Sequence, residues 1–196
     1  MKIWMENKSR KLKIRTHIMK LFRNNVERHF KKISITGRIA FGIKCLEEYL
    51  IENKIGNVWT NRLINALWEF TTSKNLSEWD KKISDLTPEC ILDTHPKNIA
   101  ENYKSLTESE FKSLKEFYLK VDDKLIYLIN LVIDIGTTDL YGATGKYSEN
   151  TLKSTMEVYK FAQKEINAIP DLNKFNITKF SENGGWGYRI DKELFN

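Results

Sequence analysis

The chain has 196 residues, 41% hydrophobic and 12% aromatic, enough apolar side chain for one self-supporting core at ordinary domain size. Only 3 Pro and 9 Gly are present, too few turn-formers for an all-β sandwich or barrel, and no stretch approaches the ~18 consecutive apolar residues of a membrane span. The formal charge of +6 is unevenly placed: residues 1–33 hold 11 Lys or Arg against Glu6 and Glu27, a local net of +9, which leaves residues 34–196 at −3.

Residues 9–32 predict a long basic helix, with Ile18, Phe22, Val26 and Phe30 recurring at spacing four as a narrow apolar stripe. After an interruption at Ser34–Gly37, a second helix is expected from about 37 to 53, carrying Ile39, Ile43, Leu46 and Leu50, with Lys54-Ile55-Gly56-Asn57 as its exit turn. Trp59, Leu63, Leu67 and Phe70 predict a third helix over 58–72. Asn75 and Ser77 start a short amphipathic helix with Trp79, Ile83 and Leu86 that stops before Pro88. Residues 88–97 predict an irregular connection with one helical turn, and 98–106 a weak helix.

Thr107-Glu108-Ser109-Glu110 is a capping box, a hydroxyl for the third amide and a glutamate reaching back, and it opens a helix with Phe111, Leu114 and Phe117. Leu125 to Ile135 is apolar on nearly every side, so it is expected at the centre of the bundle, with Gly136 ending it. A loop from Thr137 to Tyr147 follows. Ser148 is expected to cap a helix reaching about Asn167 with Leu152, Met156, Tyr159 and Ile166, and the tail, 171–196, is weakly periodic around Gly184-Gly185-Trp186-Gly187. These elements predict a single all-α domain over 1–196, a compact bundle of about seven to eight helices around the central apolar helix 125–135.

Two cysteines, Cys45 and Cys90, are too few for a disulfide framework, and no apolar signal core follows the charged start; the expected address is the cytoplasm. His17, His29 and His95 are scattered, and the His-Glu-x-x-His, Cys-x-x-Cys and Glu-x-x-His spacings are absent, so no metal site, no cofactor and no catalytic residue is predicted. Cys90 near His95 is the nearest approach to a nucleophile pair, outweighed by the reading of a small packed thiol. Gly142-Ala143-Thr144-Gly145-Lys146 fails as a phosphate loop: two residues separate its glycines where four are needed, and Tyr147 stands where Ser or Thr should follow Lys.

Glu47, Glu48, Glu52 and Glu69 could hold a divalent cation, but they lack the repeated paired spacing of helical nucleotide hydrolases, and a solvated helix face accounts for them more simply. Asp134, at the end of a helix whose dipole disfavours it, predicts a buried cationic partner or a hydrogen bond to the loop.

Two places are expected to meet a partner, most simply another protein. In the loop, Asp139, Tyr141 and Tyr147 have polar and aromatic reach. In the tail, Trp186, Tyr188 and Arg189 are of the residue types that anchor interfaces, against the alternative that Trp186 tucks back to seal the bundle end. Nucleic-acid binding through the basic segment 1–33 is the alternative, weakened because its Lys and Arg surround a four-residue apolar stripe, as on an ordinary solvated helix packed on an acidic body, and because no aromatic stacking platform or glycine-rich RNA motif accompanies them.

At Arg38-Ile39-Ala40-Phe41-Gly42, Cys45-Leu46-Glu47 and Ala66-Leu67-Trp68-Glu69-Phe70 the chain resembles small, uncharacterised all-helical bacterial proteins, some described as immunity-like because they accompany toxins in contact-dependent competition. Gly136-Thr137-Thr138-Asp139-Leu140-Tyr141-Gly142 and Gly185-Trp186-Gly187 fit the same pattern. The resemblance runs in fragments over about half the chain. It implies an all-α fold and a role in binding another protein, neutralising a cognate bacterial toxin, and it brings no catalytic residue.

Overall fold

Ser34 is where the described fold becomes a bundle. Its backbone is extended and its Oγ accepts a hydrogen bond from the Gly37 amide, which satisfies one of the open donors at the start of a long helix. The structure, a computed structural model, describes residues 24–94 and 103–195. Helical residues 24–30 (α1) lead into α2 (Ile35–Glu52), followed by α3 (Val58–Thr72), α4 (Leu76–Ser84), α5 (Pro88–Asp93), α6 (Glu108–Lys120), α7 (Asp123–Thr137) and α8 (Glu149–Glu165). Three short 3-10 helices, Leu172–Ile177, Asn183–Gly185 and Lys192–Phe195, make up the tail. Among the described residues there is no strand, and one antiparallel bridge joins Ile33 to Lys179.

The expected all-α bundle is what forms. α7 lies against α8, α2 and α5, and its Leu125, Leu128, Ile129, Leu131, Val132, Ile133 and Ile135 are buried, so the most apolar helix is the inner one. Caps set the starts. Asn57 accepts from the Trp59 and Thr60 amides while Thr60 returns a bond, and Thr107 and Glu110 close the box expected of them. α3 occupies the span expected for it.

Several expectations need correction. Gly136 does not end α7: the helix continues to Thr137, and a Cβ at Gly136 would lie 2.7 Å from the Trp79 ring and 2.9 Å from Ile39. The glycine serves close packing there, not termination. α2 begins at Ile35, two residues early, because Ser34 rather than Gly37 supplies the cap. α1 ends at residue 30, where the chain turns to let Ile33 meet Lys179; the expected stripe residues Ile18 and Phe22 lie outside the described residues, as do 98–102 of the weak helix, while 103–106 are not helical. Ser148 precedes α8 but makes no side-chain cap, since it sits in the left-handed region with φ 48°.

The tail is more deeply built in than its weak periodicity suggested. Phe175 and Phe195 are buried and stacked at 5.8 Å, with Phe41 edge-on to Phe175 at 5.4 Å and Trp68 stacked on Phe195 at 5.9 Å. Its backbone is stitched to the start of α2: the Ser34 amide donates to Thr178 O, the Phe180 amide to Lys32 O, and the Thr36 amide and Oγ1 both to Trp186 O.

Cys45 is buried inside α2, and burial together with Glu48 pushes its thiol well above the ordinary range. Cys90 is exposed on α5, and partial burial followed by the charge of Glu89 raises it too. In the native protein an aromatic disulfide reagent is therefore expected to label Cys90 slowly and Cys45 only after denaturant is added. Absorbance counting of released thiolate checks this, and two thiols reacting in the native state would contradict it.

Candidate partner-binding site

The residues expected to meet a partner part into two places. Asp139 is buried, and its carboxylate accepts from Ser148 Oγ and from Asn150 Nδ2 at 3.0 Å. It also lies close enough to Arg38 to stabilise that guanidinium's charge, so it is a structural group and offers a partner nothing. Tyr147 is half-buried, its carbonyl accepting from Arg38 at 2.9 Å and its ring facing Lys31 and Lys146. Tyr141 is 76% exposed, with its hydroxyl donating to Asp80 at 2.9 Å.

Trp186, Tyr188 and Arg189 do come together. They line a groove of about 550 Å³ with Ser73, Lys74 and Leu76 from the α3–α4 turn and Leu140 from the α7–α8 loop, the residue before Tyr141. Three segments distant in sequence thus meet at one surface. Each is tied in place: Thr144 Oγ1 donates to Gly184 O at 2.7 Å, the Ile190 amide to Thr71 O at 2.8 Å, and Asn183 Nδ2 to Gly187 O at 3.1 Å. The turn between them needs positive φ at Gly185 and Gly187, 95° and 79°, which glycine adopts at little cost.

The Trp186 ring lies 6.4 Å from the Phe70 ring, and Trp186 lines the groove. Its indole N–H has no acceptor among the described residues. Tyr188 is 64% exposed, and among the described residues neither Lys74 nor Arg189 is in an ion pair. The described lining carries those two cations and no carboxylate, which suits an acidic surface. Leu140 and Lys74 were not singled out beforehand; each looks like ordinary loop or turn residue until the tail is folded against it.

The other candidates do not assemble. Glu47 accepts from Trp68 Nε1 at 2.8 Å and Lys44 at 3.1 Å, Glu52 from the Asn167 amide at 2.9 Å, and Glu69 pairs with Lys82 at 2.5 Å, so these carboxylates serve separate partners. Among the described residues no group of three or more His, Cys, Asp or Glu is placed to hold a metal ion. Cys90 shares a cleft with Asp85, Glu89 and Asp93, surroundings that oppose a thiolate, and His95 lies outside the described residues. Asp134 is exposed and has no cationic partner among the described residues; partial burial and then Glu89 raise its carboxyl instead of a cation lowering it. Among the described residues no helix is long and apolar enough to cross a membrane.

Set against protein-family models, curated proteins and solved structures, the chain matches none.

Proposed function

We propose that this chain is a protein-binding module that receives an acidic partner in the groove at Trp186. The observation that carries the reading is the assembly of Trp186, Tyr188 and Arg189 with Lys74 and Leu140 from three separate segments. A half-buried indole with an open N–H, an exposed phenol and an unpaired guanidinium are the anchors that dominate interface energetics, and a groove concentrates them. Lys74 and Arg189 would pair with partner carboxylates, and the indole N–H with a partner carbonyl. In its specific form the reading is an immunity protein that neutralises a cognate bacterial toxin, which rests on the resemblance of the α2 and α3 motifs. The proposed address is the cytoplasm, consistent with both cysteines being unpaired.

The test uses the purified full-length chain and the product of the adjacent gene. Wild type is expected to bind that protein and suppress its toxicity, whereas Tyr188→Ala combined with Arg189→Glu weakens binding at least tenfold, about 1.4 kcal/mol, with an unchanged melting curve. Equal binding by the variant overturns the groove assignment. A neighbouring toxin that is neither bound nor neutralised by wild type overturns the immunity reading.

A further inference from the structure

A second cleft, of about 520 Å³, lies where the turn after α1, the end of the α7–α8 loop and the tail converge. Its described lining includes Lys31, Lys32, Lys146 and Lys179 and the rings of Tyr147 and Phe180, with no carboxylate. Such a concentration of one sign is not inherited from the body of the chain, since residues 34–196 are net acidic. Lys31 is paired with Glu27 at 2.7 Å, but among the described residues Lys32, Lys146 and Lys179 have no ion pair. Two of the ammoniums share one ring, Lys31 at 5.2 Å and Lys146 at 5.1 Å from the Tyr147 centroid. Like charges gathered in this way repel, and a bound anion relieves the repulsion.

The walls are held from behind by one residue. Arg38 is fully buried; its Nε donates to Phe30 O at 3.0 Å, its Nη1 to Tyr147 O at 2.9 Å, and its guanidinium stacks 5.0 Å from the Phe180 ring. It therefore anchors all three segments of the cleft, its own charge balanced by nearby Asp139. Its Nη2 is buried with no hydrogen-bond acceptor. Lys31 and Lys32, in the turn after α1, are the last cations of the segment 1–33, whose net charge is +9.

Cations beside half-buried aromatic rings in a cleft are the pairing that single-stranded nucleic acid selects, because phosphates follow the cations while unpaired bases stack on the rings. We propose that this cleft binds single-stranded nucleic acid, with phosphates drawing Lys31 and Lys146 off the Tyr147 ring and a base taking their place against it. The folded chain thus supplies the stacking surface that the basic segment lacks in sequence. The cleft shares no lining residue with the Trp186 groove, so the two readings stand or fall separately.

The experiment is fluorescence anisotropy of the full-length chain with a labelled thymidine dodecamer, at about 50 and about 200 mM salt. Wild type is expected to bind and to weaken steeply with salt. Lys146→Glu with Lys179→Glu should lower affinity at least tenfold and flatten the salt slope by about 1.4, two contacts at about 0.7 each on single strands. Tyr147→Leu should lose about 5- to 150-fold with the slope kept, and Tyr147→Phe, which preserves the ring, should bind like wild type. Melting curves identify any variant that is misfolded, and Lys32→Glu, on an exposed side chain, then replaces it with an expected slope change of about 0.7.

Unchanged binding by the lysine variants would place the anion elsewhere and overturn the proposal. So would equal affinity for duplex, full displacement by thymidine monophosphate at matched concentration, or preferential displacement by an oligoglutamate peptide, the last pointing to an acidic protein segment.

Discussion

Arg38→Ala is expected to cost about 3–5 kcal/mol of folding stability, a large share of the 5–15 kcal/mol typical of a folded domain. Arg38 lies fully buried on α2 and bonds the carbonyls of Phe30 and Tyr147 and the hydroxyl of Thr151 at 2.8 Å. Truncation strands these acceptors in a dry interior and leaves Asp139 without its nearby cation. The wild-type guanidinium is itself not comfortable: burial pulls it down to about 10, partly offset by Asp139, yet it stays charged at neutral pH. Arg38→Met, which keeps most of the volume but none of the donors, is expected to recover only part of the loss. Denaturant titration reads both, as a fall in midpoint at constant slope. An alanine variant within about 1 kcal/mol of wild type would show that the three acceptors find water or other partners instead.

Gly187→Ala should be nearly as damaging, although it adds a single methyl group. Gly187 holds φ 79°, and a Cβ there would overlap Thr178 Oγ1 and Ser34 Oγ. Those two hydroxyls are bonded to each other at 3.0 Å, and Ser34 Oγ is also the cap of α2. Left-handed strain, forced separation of the pair and a weakened cap act together, for about 3 kcal/mol in total. At about 2–4 °C per kcal/mol for a chain of this size, the melting temperature should fall by about 6–12 °C. Gly142→Ala is the control: nothing lies within 4 Å of its added Cβ, and its φ is not positive, so its melting curve should overlay wild type. Equal shifts for the two variants would refute the steric argument.

Much of the helical framework could be read from the chain because its signals are local. The cap at Asn57, the box at Thr107 and Glu110 and the all-round apolar run of α7 each act within a few residues. What could not be read depended on distant segments. Gly136 looked like a helix stop because Trp79, which explains it, arrives from α4. Asp139 looked like a reaching loop carboxylate because the buried hydroxyl of Ser148 and the charge of Arg38 were not yet beside it. Arg38 itself, flanked by Gly37 and Ile39, carries no local mark of burial. Of the candidate site, the tail trio Trp186, Tyr188 and Arg189 was legible by residue type, whereas Leu140 and Lys74 joined it only through folding. Tyr147 and Phe180 become a platform beside Lys31 and Lys32 for the same reason.

The stitching of Ser34, Thr36 and Lys32 to Thr178, Trp186 and Phe180 also bears on the order in which the protein is made. These are among its longest-range contacts, and closing so long a loop is a slow step that rewards the chain only once both ends are present. On the ribosome the start of α2 emerges long before Thr178 and Trp186, so the hydrogen bonds of Ser34 and Thr36 to them wait for the tail. At about 5–20 residues per second, the ~150 residues between them take about 8–30 seconds. The nascent chain therefore passes through an interval in which the start of α2 lacks its tail partners, and these hydrogen bonds are among the last to form.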